Sequence, residues 1–424
     1  NLSDSNLRIC CNILLDYIEK TQNKDVNSLK NFEVYFKDKF VYMTNYSLKN
    51  LEVTQNMANG GKKSSLLSII DKTSTAAGAR KLKKWLENPL LNLKEIEHRQ
   101  EIVGDFVKHY FEKADVKTNL KEVYDLERIS TKVSYNIVSP KELLNLKKTL
   151  EKIPSIKTIL LSFNSKKLVE IANNIDELED LHEYLEVTIN EEAGQTVKEG
   201  NVIKLGFNSE LDSYKNASKN GNRILLEIEE REKNRTGVKN LKVGYNKIFG
   251  YFIEISKVGL RTIDPTELGY HRKQTLSNCE RFISEELKEV EEHIVNSKAK
   301  IEELELLLFQ EVKMKIHSFI PRLQRVANIL SDIDVFVSLS DVAEEYSYTK
   351  PKFNNDNIID IIEGRHPIVE RNVSDDGYIS NDCKVDKDNN ILLITGPNMS
   401  GKSTYMRQLA LIVILAQTGS FVPA

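Results

Sequence analysis

The sequence predicts a multidomain, mainly α-helical protein with a small inserted β element and the start of an α/β domain. Three observations predict this class. Apolar residues recur at steps of three and four over most of the chain, which is typical of packed helices. One central segment is instead rich in β-branched and aromatic residues, and a glycine-rich loop stands between an apolar run and a helical pattern near the end. A chain of 424 residues has room for about three domains.

Composition excludes several classes of protein. Lys and Arg number 60 against 63 Asp and Glu, so the net charge is only −3 and any charged function must be local. Hydrophobic residues make up 40% and charged residues 29%, which excludes wholesale disorder and a collagen-like fibre. The four cysteines lack zinc-site spacing, and the apolar run at 409–416 is too short to cross a bilayer. We therefore expect a soluble, cytoplasmic protein and, because it begins at Asn1 rather than Met, a piece of a longer one.

Helical periodicity dominates residues 6–150 and returns at 168–189, where the spacing predicts one long, laterally packed helix. The same spacing occurs at 211–228 and in a segment that is predicted to be helical over 283–319. This second helix would be about 55 Å long. Two such helices running antiparallel predict a rod that carries residues 234–282 at its tip.

The predicted tip differs from the rest of the chain in texture and in charge. Residues 243–245 and 249–255 are rich in β-branched and aromatic residues, which predicts a small β element. Residues 233–281 contain ten basic and four acidic side chains, a local charge of +6 in a chain of −3. Such a patch suits contact with nucleic-acid phosphates, although a solvated lysine-rich surface would have the same charge. Its position at the end of a rod favours binding.

A new domain is predicted from about residue 350. Its last predicted strand is the apolar run at 391–395, which is typical of a strand buried on both faces in a parallel sheet. Directly after it, residues 396–403 read GPNMSGKS, a full match to the phosphate-loop motif G-x-x-x-x-G-K-[ST], and a helix follows. Gly396 and Gly401 allow the backbone to curl around phosphate groups. Lys402 is expected to reach the β and γ phosphates of ATP, and the Ser403 hydroxyl to join the shell of Mg²⁺. The alternative, a glycine-rich turn with an incidental lysine, is disfavoured because strand, loop and helix follow in order.

Other candidate residues have plainer interpretations. Asp386 and Asp388 are predicted to be solvated turn residues, so the chain supplies no second acidic residue for hydrolysis and no catalytic residue. Phe252 is interpreted as part of a sheet rather than as a wedge that probes a base, and Trp85 as a core residue. The segment 365–367 fits either a position near the nucleotide or a turn cap.

Several segments resemble those of one family, the bacterial MutS mismatch-repair proteins. The most specific is GPNMSGKSTYMRQ at 396–408, which is similar to the ATPase loop of that family. Further similar segments are EGRHP at 363–367, GYFIEIS at 250–256, RKQTL at 272–276 with ERF at 280–282, NLE at 50–52, and the run 73–90. The similarity spans nearly the whole chain.

The resemblance implies a helical core and lever at 1–225 and 283–345, a DNA clamp at 226–282, and the truncated start of a P-loop, ABC-type ATPase domain at 346–424. It implies a nucleoid-associated, DNA-dependent ATPase of DNA mismatch repair that clamps duplex DNA as a homodimer. ATP and Mg²⁺ would switch the whole protein from mismatch recognition to a sliding state that recruits MutL. This chain alone is expected to be inactive as an ATPase.

The resemblance also implies roles for individual residues. Tyr378 and Ile379 stand where the family packs an aromatic and an aliphatic residue against adenine. The expected nucleotide loop comprises Gly396, Pro397, Asn398, Met399, Ser400, Gly401, Lys402, Ser403 and Thr404. The expected DNA contacts are Lys239, Lys242, Lys247, Arg272 and Lys273.

Three alternatives remain. The first is a MutS homologue that lacks the mismatch reader and binds DNA junctions, because no reader domain is present in this sequence. The second is a coiled-coil ATPase of the chromosome-maintenance type, but such proteins place the phosphate loop before the rod, whereas here the rod comes first. The third, a structural clamp with a vestigial loop, is disfavoured by the intact Lys402 and Ser403.

Overall fold

The computed structural model describes residues 5–22, 39–246, 250–371 and 378–424. Its helices are α1 (Ser5–Gln22), α2 (Asn45–Asn50), α3 (Leu66–Ile70), α4 (Ala76–Glu87), α5 (Leu93–Lys108), α6 (Tyr110–Leu120), α7 (Leu126–Ser134), α8 (Pro140–Ser162), α9 (Lys166–Asn173), α10 (Glu179–Thr188), α11 (Ser209–Thr236), α12 (Glu285–His317), α13 (Ile320–Glu345) and α14 (Lys402–Thr418). Its strands are β1 (Lys242–Asn246), β2 (Gly250–Ser256), β3 (His271–Thr275), β4 (Cys279–Ile283), β5 (Ile359–Gly364) and β6 (Asn381–Val385). The mainly helical prediction is confirmed.

Helix α13 is the centre of the helical core. Six consecutive residues at 335–340 are all buried, as expected for a helix surrounded by others. It packs against α4, α5, α6 and α7. The Trp85 ring lies edge-on against Phe336 of α13, with 5.3 Å between ring centroids, so the prediction that Trp85 is a core residue is confirmed.

The single long helix predicted over 168–189 is wrong, because the chain forms α9 and α10 with a break between them. Leu178, the residue before α10, has a left-handed backbone with φ of 54°. The Asp176 carboxylate accepts a hydrogen bond from the Leu178 N–H and pairs with Arg322 of α13 at 2.6 Å. Asp side chains stabilise such turns locally, and here the turn is also anchored to the central helix.

The antiparallel rod is confirmed: α11 and α12 pack along their length. The helices are joined near the base by the ion pair Lys215–Glu305 and near the tip by the ion pair Arg231–Glu286. In the middle Ile294 packs against the backbone of Gly221, where a Cβ would lie 2.5 Å from the Ile294 side chain. The 33 residues of α12 span about 50 Å at 1.5 Å per residue. Helix α11 continues past residue 225 to Thr236, toward the sheet.

The small β element is also confirmed. Strands β1 to β4 form an antiparallel sheet in the order β1-β2-β4-β3, carried between the ends of α11 and α12. Ile253 pairs with Val243 on one side and Phe282 on the other, which places these apolar side chains on one face. Together with Leu225 and Leu287 of the lever helices they form a separate small core.

The parallel strand predicted at 391–395 is wrong. This segment has no strand structure, and Ile391 and Leu393 are 85% and 89% exposed. A strand needs a neighbour to pair its N–H and C=O groups, and no segment among the described residues runs beside it. The two strands in this part of the chain, β5 and β6, pair only with each other and are antiparallel.

Helix α14 forms as predicted after the glycine-rich loop. Leu411 and Leu415 are completely buried, and the helix packs against α4 and α5 of the core. The C-terminal part of the described chain is therefore joined to the helical core through α14. None of the helices in the described ranges is long and apolar enough to span a membrane.

Candidate nucleotide and nucleic-acid sites

The loop at 396–401 has the backbone that its glycines predict. Gly401 precedes α14 with φ of +89°, and Gly396 has φ of +154°, both in the region that favours glycine. A Cβ at Gly396 would lie 2.9 Å from the Ser400 hydroxyl. The first N–H groups of a helix have no intrahelical acceptor, and no side chain caps this end of α14. The helix therefore presents open donors and the positive end of its dipole to the loop.

Lys402 folds back over this loop. Its Nζ donates to the carbonyl oxygens of Gly396 at 2.6 Å and Pro397 at 2.5 Å. The ammonium group is therefore held against the loop backbone by two neutral acceptors. An anion bound in the loop would offer it a stronger, charge-assisted partner.

Three other loop residues face solvent. Asn398 is exposed, and Met399 is fully exposed with φ of 65°. Ser403, in the first turn of α14, is exposed as well. The start of the helix is anchored one residue beyond Thr404, where the Tyr405 hydroxyl donates to the Asp382 carbonyl at 2.9 Å.

The two predicted adenine contacts lie in different environments. Tyr378 is half-buried, and its hydroxyl donates to Gln408 Oε1 of α14 at 2.7 Å. Burial raises the pKa of Tyr378 above its usual value, so the hydroxyl stays protonated and remains a donor. Ile379 is 84% exposed. The structure thus brings Tyr378, but not the side chain of Ile379, into contact with the helix that follows the loop.

Gln408 is a residue that sequence reasoning missed. It is 2% exposed, and its side chain also lies close to Gly364, where a Cβ would be 2.8 Å from Nε2. The sequence did offer a signal, because Gln408 stands at the start of an otherwise apolar stretch. A polar side chain that is buried in such a stretch needs a hydrogen-bond partner. A second missed contact joins the Arg407 guanidinium to Met57 Sδ at 3.3 Å.

The segment at 365–367 acts as a turn cap. His366 is buried, and its Nδ1 accepts hydrogen bonds from the N–H groups of Ile368 at 3.2 Å and Val369 at 3.3 Å. Burial, assisted by the nearby positive charge of Arg407, lowers the pKa of His366 to about 4, so the ring is neutral near pH 7. Arg365 donates to the carbonyl oxygens of Tyr346 and Ser347, the two residues that follow α13.

The acidic residues upstream of the loop are also occupied locally. Asp386 accepts hydrogen bonds from the N–H groups of Asp388 and Asn389, as in an Asx turn. Asp382 accepts one from the Glu363 N–H at 2.7 Å. The interpretation of Asp386 and Asp388 as turn residues is confirmed.

The basic residues predicted at the tip are distributed over the sheet and its edges. Lys239, Lys242 and Lys273 are exposed, and no carboxylate in the described part of the chain lies within ion-pair distance of them. Arg272 is exposed but pairs with Glu280 at 2.9 Å, so part of its charge is neutralised. Lys247 lies outside the described residues.

Phe252 belongs to the sheet. It is 5% exposed, lies beside Gly244 of β1, and is covered by the Arg281 guanidinium, 4.2 Å from the ring centroid. Arg281 in turn pairs with Glu254 at 2.8 Å. The prediction that Phe252 is a structural sheet residue is confirmed, because its ring has no free face to offer to a base.

Comparisons with known proteins agree with this arrangement. The family model for MutS domain III matches residues 46–340, which contain the helical core, both lever helices and the four-stranded sheet. The model for MutS domain V matches residues 392–424, which contain the glycine-rich loop and α14.

Two relatives illustrate the extent of the similarity. The DNA mismatch repair protein MutS of Staphylococcus saprophyticus subsp. saprophyticus is 44% identical over 421 residues, which is 99% of this chain and 47% of that protein. The protein of the same name from Staphylococcus aureus strain Newman is 44% identical over 411 residues, 97% of this chain and 47% of that protein. The chain therefore spans about half the length of these relatives. The matches to two family models, one over more than half of the chain, and the close relatives show that the chain belongs to the MutS family.

Proposed function

We propose that this chain is part of a DNA mismatch-repair protein that grips duplex DNA and is controlled by ATP. Its parts are a core and lever at 1–225 and 283–345, a clamp at 226–282 and the first part of an ATPase domain at 346–424. The observation that carries the proposal is that one chain joins a basic sheet, held at the tip of two long helices, to a phosphate-loop helix packed on the same core. The whole protein would be a DNA-dependent ATPase.

The loop residues fit a nucleoside triphosphate and its Mg²⁺. The open N–H groups at the start of α14 suit phosphate oxygens, and Lys402 can exchange its two carbonyl partners for the β and γ phosphates. Ser403 carries an exposed hydroxyl in the first helical turn, where it can join the Mg²⁺ shell. Bound Mg²⁺ would neutralise phosphate charge.

The surroundings of the loop support binding of the nucleotide rather than its hydrolysis by this chain alone. Tyr378, held against α14 by Gln408, is the better candidate for the adenine contact, with Ile379 beside it. The nearby Asp382, Asp386 and Asp388 lie in β6 and the following turn, and Asp382 and Asp386 already accept backbone hydrogen bonds. A second acidic residue that could hold Mg²⁺ is therefore not supplied by these positions.

Nucleotide binding can be measured directly with a fluorescent N-methylanthraniloyl ATP in the presence of Mg²⁺. The wild-type chain is expected to bind it, and Lys402→Met to bind at least about tenfold more weakly, because one charge-assisted contact is lost. The matched control is Lys387→Met, which removes an exposed lysine from the nearby turn. Equal affinity of the wild type and Lys402→Met would contradict the nucleotide site.

The clamp is proposed to contact the DNA backbone through Lys239, Lys242, Lys247, Arg272 and Lys273. Lys239, Lys242 and Lys273 are exposed and not neutralised by a carboxylate in the described chain. Backbone contacts of this kind give affinity without sequence information, and they make binding strongly dependent on salt.

A salt series tests the clamp. Changing Lys239, Lys242 and Lys273 together to Gln is expected to reduce the slope of log Kd against log salt by about 2.7, since each lost phosphate contact contributes about 0.9. The control changes three exposed lysines of the helical core, Lys121, Lys148 and Lys198, to Gln. An unchanged slope in the clamp variant would exclude these lysines as the contacts.

Further properties are proposed for the whole protein on the basis of family membership. It would act as a homodimer that encloses duplex DNA, and ATP binding would convert the mismatch-bound state into a sliding state that recruits MutL. Family membership assigns mismatch reading to a part of the protein that precedes the core, and the enclosure of Phe252 in the sheet leaves that residue without such a role.

A further inference from the structure

Arg99 of α5 is a half-buried arginine that neither the nucleotide loop nor the clamp uses. Its Nη1 donates to the Thr418 carbonyl, in the last turn of α14, at 3.0 Å. Its guanidinium lies 3.4 Å from the centroid of the Trp85 ring. Asp332 and Glu95 act on its charge from beyond ion-pair distance, and the negative end of the α14 dipole and the indole face lie in direct contact with it. Burial lowers the pKa of Arg99 to about 10, which still leaves it charged at pH 7.

The end of α14 is shaped to receive this arginine. Gly419 follows the helix with φ of +93°, and a Cβ there would lie 2.5 Å from Arg99 Cβ. A side chain at this position would therefore displace the stem of Arg99. A second link is the Leu90 N–H, which donates to the Gln417 carbonyl at 2.9 Å. Two connections thus hold the last turn of α14 on the helical core.

The same junction reaches the lever. Trp85 lies edge-on against Phe336 of α13, and α13 follows directly on the lever helix α12. Helix α14 begins at the phosphate loop and is 17 residues long, so its two ends are about 25 Å apart. Contact is therefore continuous from the phosphate loop, along α14, through Arg99 and Trp85, to the helix that joins the lever.

We infer that Arg99 is a positioning residue for the nucleotide site: it fixes the far end of α14 against Trp85, and nucleotide bound at the near end alters this junction. The inference rests on the proposed function of the loop. Because a helix is stiff, a shift or rotation of α14 at Lys402 must be absorbed at its other end, where Arg99 is the charged contact. Trp85 is the only tryptophan of the chain, so its fluorescence reports this junction alone.

The first measurement is the emission of Trp85 in the wild-type chain during titration with unlabelled ATP and Mg²⁺. A saturable change with the same midpoint as the binding of N-methylanthraniloyl ATP is expected. In Lys402→Met the midpoint of the change should move to an at least about tenfold higher nucleotide concentration, in parallel with the loss of affinity.

The second measurement is nucleotide affinity in variants of the junction. Arg99→Gln is expected to weaken binding about five- to tenfold, and Arg99→Lys, which keeps a charge near the Thr418 carbonyl, to restore it to within about twofold. Gly419→Ala, which displaces Arg99 from the other side, should resemble Arg99→Gln. The control is Arg322→Gln, which removes a paired and aromatic-stacked arginine of the core away from α14.

The outcomes separate this inference from the proposed function. Nucleotide binding with silent Trp85 emission, or with equal affinity in the wild type, Arg99→Gln and Gly419→Ala, overturns the inference and leaves the nucleotide site standing. Equal weakening by Arg322→Gln also overturns it, because the effect would then be a general loss of stability. Failure of the wild-type chain to bind nucleotide overturns both.

Discussion

The ion pair between Lys215 and Glu305 at the base of the lever allows a quantitative prediction. Glu305 is completely buried, and its Oε1 accepts from Lys215 Nζ at 2.8 Å and from the N–H groups of Val202 at 3.1 Å and Ile203 at 3.4 Å. Lys215 also donates to the Ile203 carbonyl at 2.8 Å, and its side chain is 14% exposed. This cluster ties both lever helices to the segment that crosses beneath them.

The two partners are expected to respond differently to mutation. Lys215→Met leaves a fully buried carboxylate without its counter-charge, which costs about 3 to 5 kcal/mol. Glu305→Gln keeps an oxygen for the two N–H groups, and the freed ammonium can move toward solvent, so the cost is about 2 kcal/mol. The double variant should cost about as much as Glu305→Gln alone, because the ammonium then has no charged partner to lose. The interaction energy of the double-mutant cycle therefore has a magnitude of about 3 to 5 kcal/mol, equal to the cost of Lys215→Met in the presence of Glu305.

Urea unfolding followed by circular dichroism, together with hydrogen exchange at the Val202 and Ile203 amides, measures these free energies. Hydrogen exchange is needed because a chain of several domains need not unfold in one step. The control is Arg223→Met, which breaks the exposed pair with Glu227 on α11 and should cause no measurable change. Additive costs in the double variant, or a cheaper Lys215→Met than Glu305→Gln, would refute the reasoning.

Three further predictions concern the site and the sheet. The imidazole NMR resonance of His366, identified by its absence in His366→Asn, should show no titration between pH 8 and 5.5, because the pKa of the folded state is lowered to about 4. The contribution of His366 to stability is therefore complete above about pH 6.5 and is lost as the pH falls through 4. A titration midpoint near 6.5 would contradict its burial. Tyr378→Phe should change the affinity for the fluorescent nucleotide less than about twofold, whereas Tyr378→Ala should weaken it about tenfold, because the ring makes the adenine contact. Equal effects of the two variants would instead assign the contact to the hydroxyl that is bonded to Gln408. Phe252→Ala should destabilise the sheet by about 3 kcal/mol, as measured by urea unfolding, because a buried ring is lost. The ratio of affinities for mismatched and matched DNA should stay the same. A changed ratio would restore the interpretation of Phe252 as a residue that probes a base.

The features that the sequence predicted correctly depend on local pattern. The steps of three and four in α11 and α12 indicate one buried face of each helix, and in the structure these two faces pack against each other. The loop at 396–403 needs particular residues at particular spacings, so its motif is visible without knowledge of the rest of the fold.

The errors arose where distant residues decide the structure. The break between α9 and α10 depends on Asp176 meeting Arg322, which is 146 residues away in the sequence. The apolar run at 391–395 has the composition of a buried strand, yet strand formation requires pairing partners that the described residues do not provide. The contact between Arg99 and Thr418, 319 residues apart, has no local signal at all.

The most direct test of the account is equilibrium binding of this chain to a short matched duplex and to the same duplex with one G·T mismatch, across a salt series. Equal affinities for the two duplexes are expected at every salt concentration, with a steep salt dependence, because the exposed lysines of the sheet contact phosphates and Phe252 is enclosed. Preference for the mismatch, or absence of binding to either duplex at low salt, would contradict it.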